Sequence, residues 1–148
     1  MIREMTINDL DEVLEIEKES FLTPWKKEDL LYELKDNPYS TYYVYLEDNK
    51  LVGYVGLWVT FDSSQIVNIA VKEEYRHRGI GQKLLDKAIW KAETDNCEFM
   101  CLEVRISNQQ AINLYEKNGF ILVNVKKGYY VDNHEDANYM VKALKVSL

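Results

Sequence analysis

The sequence predicts a mixed α/β domain, and three observations predict it. Strand-like β-branched and aromatic runs are interspersed with amphipathic helical stretches, a strand-helix-strand succession follows a strand meander, and no repeat, low-complexity segment or linker divides the chain. At 148 residues the chain has the length of one ordinary domain and can bury a core of its own, so a single domain is expected over residues 1–148.

Each element has a local reason. "MIRE" reads as a short strand. "TINDLDEVLEIEKESF" begins a helix at Thr6, with Asp9 as the carboxylate of a capping box and Leu10, Val13, Leu14 and Phe21 at helical spacing. Pro24 interrupts this helix, and "KKEDLLYEL" forms a second after Trp25. From Ser40 to Asp62 two strands flank the turn-like Glu47-Asp48-Asn49-Lys50, and "SQIVNIAV" adds a third, making an antiparallel meander. The loop "EYRHRGIG" leads into a helix whose Leu84, Leu85, Ala88 and Ala92 share a face, and which should end near Thr94-Asp95-Asn96. "FMCLEVRI" is a strand, and "NQQAINLYEKNG" a helix opened by Asn108 and closed by Gly119. "FILVNVKK" and "ANYMVKAL" are the last two strands. The order is β-α-α-β-β-β-α-β-α-β-β. The sheet must be mixed, because a strand-helix-strand crossover joins parallel neighbours while hairpins join antiparallel ones.

Composition narrows the function. With 18 Lys+Arg against 25 Asp+Glu the net charge is −7, which repels nucleic acid and tilts modestly toward a cationic partner. The apolar stretch from Leu51 to Phe61 is too short and too interrupted by glycine to span a bilayer, and the N-terminus lacks a signal peptide's apolar region, so a cytoplasmic protein is expected. Cys97, Cys101, His77 and His134 fall at no familiar metal-ligand spacing, and no metal is expected. Oligomeric state is not legible.

Two glycines, Gly79 and Gly81, stand at the first turn of a helix, where each costs roughly 0.5–1 kcal/mol relative to alanine. A loop entering a helix presents free backbone N–H groups at the positive end of the dipole, a ready anion site, and glycine lets a phosphate come close. The loop alone fits either that or an unliganded turn. It is not a Walker loop, since Gln82 follows Gly81, and not a dinucleotide fingerprint, since Leu84 stands where a third glycine belongs.

"RHRGIG", Arg76 to Gly81, does resemble the pyrophosphate loop of the Gcn5-related N-acetyltransferase (GNAT) superfamily. The resemblance runs the length of the chain. "VNIAVKEEYRHRGIGQKLL" and "LEVRISNQQAINLYEKNGF" are similar to the ribosomal-protein-alanine N-acetyltransferase subfamily, as are "SFLTPW" and "GYYVDNHEDANYM", which match segments lining its peptide site. The resemblance implies a mixed, mostly antiparallel sheet of about seven strands flanked by about four helices. It implies acetyl-CoA as donor, with backbone groups of Ile69, Ala70 and Val71 pairing with its pantetheine arm and His77, Arg78, Gly79, Ile80, Gly81 and Gln82 holding its pyrophosphate. It further implies direct transfer to the α-amine of a protein N-terminus, the alanine of a small-subunit ribosomal protein. A small-molecule amine, other protein N-termini, and a binding module without turnover stand as alternatives.

The residues have their own reading beside this. A peptide α-amine, with a pKa of about 8, is far easier to deprotonate near neutrality than a lysine at about 10.4. In "CLEVRI", alternation puts Cys101, Glu103 and Arg105 on one face and Leu102, Val104 and Ile106 on the other. Glu103 can then accept a proton or serve as an ion-pair partner of Arg105 or a nearby lysine. The resemblance makes it the general base. Tyr115 lies two turns beyond Asn108 on nearly the same helix face, where it can pack as a core aromatic. By resemblance it is the general acid, and Asn108 is a cofactor contact as well as a helix cap. Val71 is the candidate N–H for polarising the thioester. Trp25, Tyr129 and Tyr130 suit plain packing or, taken together, the walls of a peptide groove. Glu135 and Asp136 suit either a basic residue downstream in the substrate or a solvated loop, and His134 an exposed loop.

Overall fold

The computed structural model describes residues 1–145, so the last three positions of the expected domain lie outside the described residues. Its strands are β1 (Ile2–Glu4), β2 (Ser40–Glu47), β3 (Lys50–Thr60), β4 (Ser63–Val71), β5 (Phe99–Arg105), β6 (Ile121–Lys126) and β7 (Ala137–Ala143). Its helices are α1 (Leu10–Ser20), α2 (Lys27–Lys35), α3 (Ile80–Thr94) and α4 (Gln109–Lys117), in the order expected from the sequence.

Local chemistry explains the boundaries. The Thr6 N–H donates to Asp9 Oδ2 at 2.7 Å, which starts a 3-10 turn at Ile7–Asp9 that runs into α1. Arg3 grips the same carboxylate at 2.7 and 2.9 Å and holds its pKa below the usual range. At the far end of α4, Gly119 takes φ +90°, the left-handed turn that closes the helix. One expectation fails at an edge. Alternation puts Ile106 on the core face of a strand, but β5 ends at Arg105 and Ile106 is exposed in the turn that follows.

The sheet runs β1-β2-β3-β4-β5-β7-β6, antiparallel except between β4 and β5. Leu84, Leu85, Ala88 and Ala92 of α3 are fully buried against one face, beside Val55, Leu57, Leu102 and Tyr115. Leu10, Val13 and Ile16 of α1, with Leu30 of α2, cover Tyr42, Val44 and Tyr54 on the other.

The parallel pair is short. Only Ser63, Ser64 and Gln65 face Phe99, Met100 and Cys101, and pairing then stops. Immediately beyond, β4 carries an extra residue. Gly56 pairs with Asn68 and Leu57 with Ile66, leaving Val67 without a partner on β3. Such a bulge bends its strand. From Leu102 onward β5 pairs with β7 alone, so a gap opens in the middle of the sheet between the C-terminal halves of β4 and β5.

Candidate functional site

Backbone register decides what β4 offers the gap. The Lys72 N–H donates to the Val52 carbonyl at 2.7 Å, one step beyond the Gly53–Val71 pair, so that pair is of the kind that exchanges no bonds. Val71 and Ile69 therefore turn their backbone groups away from β3 and toward the gap. Ala70, which the family resemblance groups with them, turns its groups to Tyr54 on β3, because successive residues alternate. The Val71 carbonyl accepts from Arg76 Nε at 2.9 Å, and its N–H faces the gap.

The glycine loop sits at the end of this strand. Gly79 precedes α3 with φ 80° and ψ 10°, a left-handed conformation that costs a residue with a side chain about 1–2 kcal/mol. No side chain caps α3, and the first bond into the helix is from Lys83 N–H to the Gly79 carbonyl at 3.2 Å. The N–H groups of Ile80, Gly81 and Gln82 thus have no acceptor among the described residues, at the positive end of the helix dipole. This donor set suits a phosphate anion. Ile80 anchors the turn by burying its side chain. The polar side chains of the loop are engaged with the protein. His77 Nε2 lies 3.4 Å from Gln110 Nε2, Arg78 lies 3.6 Å from Glu47 and over the Tyr75 ring, and Gln82 exchanges bonds of 2.7 and 2.9 Å with Asn118. Gly81 differs from Gly79. A Cβ there would meet Leu114 at 3.8 Å and Val71 at 4.0 Å, ordinary contacts, so neither backbone nor packing requires a glycine.

Across the gap, alternation along β5 holds. Leu102 and Val104 are buried, whereas Cys101, Glu103 and Arg105 face the α1/α2 side and are partly exposed. The Glu103 carboxylate is 13% exposed and accepts from Lys126 Nζ at 2.8 Å and Gln65 Nε2 at 3.0 Å. Of the two ion pairs allowed by the sequence, the lysine forms. Arg105 goes instead to Asp132 at 2.6 Å and Glu135 at 3.3 Å, with its guanidinium 3.9 Å from the centre of the Tyr130 ring.

On α4, Asn108 accepts from the Ala111 N–H at 3.2 Å, which makes it the helix cap expected. Tyr115 is buried edge-on against Phe120, with ring centroids 5.5 Å apart, and its hydroxyl makes no hydrogen bond among the described residues. Burial, with Tyr130 nearby, raises its pKa far above that of an ordinary tyrosine, so it is a neutral donor throughout the working range. Burial pushes Tyr130 up to about 12, against the lowering influence of Arg105.

The two loops with candidate peptide-site aromatics meet. Thr23 Oγ1 donates to Asp132 Oδ2 at 2.8 Å, bringing the loop that holds Trp25 against the one that holds Tyr129 and Tyr130. Tyr129 and Tyr130 pack edge to face at 5.0 Å. Glu135 and Asp136 are spent on the loop itself. Glu135 accepts from the Ser107 N–H at 2.8 Å and from Arg105, and Asp136 from the Gly128 N–H at 2.8 Å and Lys127 at 3.1 Å. His134 is exposed.

Sequence reasoning missed Glu17. It is 1% exposed on α1 and accepts from the Trp25 N–H at 3.2 Å, Asn68 Nδ2 at 2.7 Å and the Tyr54 hydroxyl, so it ties the Trp25 loop to the bulged part of β4. The signal was present, since Glu17 falls on the stripe of Leu10, Val13, Leu14 and Phe21, a core position for a charge. Lys126 and Gln65 were missed as well, because only the register of the strands reveals them.

Glu17→Ala should lower stability by about 3 kcal/mol, because the buried Tyr54 hydroxyl and the part-buried Asn68 amide and Trp25 N–H lose their acceptor. Burial raises the pKa of Glu17, so its favourable contribution is complete below the ordinary unfolded value of about 4.3 and is lost as pH rises through the folded one. Urea titrations at acidic and neutral pH should find wild type losing stability relative to Glu17→Gln as pH rises; an unchanged difference would refute the assignment.

Comparison with known proteins gives the family. Residues 10–120 match the model of the Acetyltransferase (GNAT) family. The putative ribosomal protein bS18-alanine N-acetyltransferase of Bacillus subtilis is 42% identical over 94% of this chain and 92% of its own length. An N-alpha-acetyltransferase of Saccharolobus solfataricus is 35% identical over 97% and 92%. The crystal structure of the ribosomal-protein-S18-alanine N-acetyltransferase from Escherichia coli superposes with a TM-score of 0.91 at 27% identity, covering 100% of this chain and 96% of that one. The protein thus belongs to the GNAT acetyltransferase family and is an N-acetyltransferase that draws its acetyl group from acetyl-CoA.

Proposed function

We propose that the acceptor is the α-amine of a protein N-terminus, specifically the N-terminal alanine of a small-subunit ribosomal protein, acetylated in the cytoplasm by one catalytic domain. The observation that carries this reading is the placement of the Glu103 carboxylate beside the β4/β5 gap, on the face that the Trp25 and Tyr129–Tyr130 loops close over. The names of the Bacillus subtilis and Escherichia coli relatives support the ribosomal acceptor.

Acetyl-CoA supplies the acetyl group as a thioester. Ile80, Gly81 and Gln82 offer N–H groups to its pyrophosphate, with His77, Arg78 and Gly79 forming the approach and Asn108 the neighbouring helix cap. Gly81 then has a reason that the protein's own packing does not give: it is one of the three donors, and without a Cβ it lets a phosphate come close. Ile69 and Val71 pair with the pantetheine arm, while Ala70 keeps the strand on β3, and the Val71 N–H polarises the reacting carbonyl. Glu103 accepts the proton of the acceptor ammonium, directly or through a water. Tyr115, buried and protonated, donates to the departing thiolate, with its ring packed and its hydroxyl unclaimed. Trp25, Tyr129 and Tyr130 wall the acceptor's first residues.

Mass spectrometry of a peptide panel tests the acceptor. Peptides starting with alanine, with free and blocked N-termini and with or without lysine, are incubated with acetyl-CoA and the protein. Acetylation should fall on the free α-amine. Acetylation of lysine alone, or of small amines in preference to every peptide, would sink the proposal.

A further inference from the structure

We infer that Lys126 is a built-in stand-in for the acceptor's ammonium group: its Nζ occupies the cation subsite beside Glu103 and leaves it when an acceptor amine arrives. The inference rests on reading this face of the gap as the acceptor site.

The subsite is built for an ammonium. Nζ lies 2.8 Å from Glu103 Oε1, 4.7 Å from the centre of the Tyr139 ring and 5.3 Å from that of Tyr129, so one carboxylate and two aromatic faces surround a single charge. An acceptor α-ammonium about to give its proton to Glu103 needs those same groups. Two amines cannot share the place.

Lys126 is also placed to leave. It stands at the end of the edge strand β6, whose Ile121, Leu122 and Val123 are exposed, and its own side chain is 36% exposed. A lysine head on a flexible four-carbon stem swings into water at little cost. Arg105, a second cation on this face, is held by Asp132, Asn133 and Glu135 and stacked on Tyr130, so it has no such freedom. Gln65 Nε2, on the second carboxylate oxygen at 3.0 Å, keeps Glu103 in position while the lysine is away. Acceptor binding becomes an exchange of one ammonium for another, and the carboxylate is not left unpaired in the resting protein.

The test is calorimetry of an alanine-starting peptide against the protein saturated with coenzyme A. Lys126→Met keeps the length of the stem and drops the charge, so the peptide should bind about five-fold more tightly, the scale of a part-exposed ion pair. Lys126→Arg should weaken binding, because a guanidinium forks onto the carboxylate more firmly. Both variants should keep wild-type affinity for coenzyme A, and in a Glu103→Gln background the gain from Lys126→Met should vanish. Unchanged or weaker binding to Lys126→Met overturns the inference, as does a gain that survives Glu103→Gln. A peptide that wild type acetylates but Lys126→Met binds no more tightly removes this inference alone; absence of peptide binding to any of the proteins removes the acceptor reading with it.

Discussion

Glu103→Gln should lower kcat for an α-amine acceptor by about 100- to 10,000-fold, the range for loss of a positioned general base, with acetyl-CoA affinity near wild type. The substitution keeps size and the ability to accept from Gln65, so the fold is not at stake. What disappears is the carboxylate proposed to accept the acceptor's proton. Tyr115→Phe should lower kcat too, since it keeps the ring against Phe120 and removes only a hydroxyl that no described residue binds. Steady-state kinetics across pH reads both. Wild-type turnover in Glu103→Gln would remove the base role and in Tyr115→Phe the acid role, as would a loss that appears only in acetyl-CoA affinity.

Gly81→Trp should weaken coenzyme A binding by about 100-fold or more, the equivalent of two charge-assisted hydrogen bonds lost at roughly 1.5 kcal/mol each. Gly81→Ala is the informative companion. The ordinary contacts its Cβ would make, with Leu114 and Val71, leave the fold intact, so any loss it causes reports on the ligand side of the loop. Gly79→Ala would act differently, through left-handed backbone strain, and should appear as lower thermal stability. Calorimetry with coenzyme A beside thermal melts separates the two. Unaltered affinity in Gly81→Trp would contradict the pyrophosphate role of the loop.

Periodicity made the order of strands and helices legible, because each element buries a face at its own spacing. Asn108 and Gly119 bounded α4 as their cap chemistry requires. The gap was not legible. It depends on where β4 and β5 cease to pair and on an extra residue at Val67, and no local propensity encodes either. The same dependence on register hid the turn of Ala70 toward β3 and the reach of Lys126 to Glu103. The choice of lysine over Arg105 as partner of Glu103 followed from the β6–β7 loop, whose acidic residues claim the arginine first. Glu17 was legible in principle, as a charge on an apolar stripe, but its partners Tyr54, Asn68 and Trp25 come from three distant segments.

Whether acetyl-CoA lies in the β4/β5 gap with its reacting end among Val71, Glu103 and Tyr115 is tested most directly by a crystal structure of the protein with coenzyme A. The expected result is a pyrophosphate on the N–H groups of Ile80, Gly81 and Gln82 and a thiol within hydrogen-bonding reach of the Tyr115 hydroxyl. Coenzyme A bound away from the α3 N-terminus, or a thiol remote from Tyr115, would contradict it.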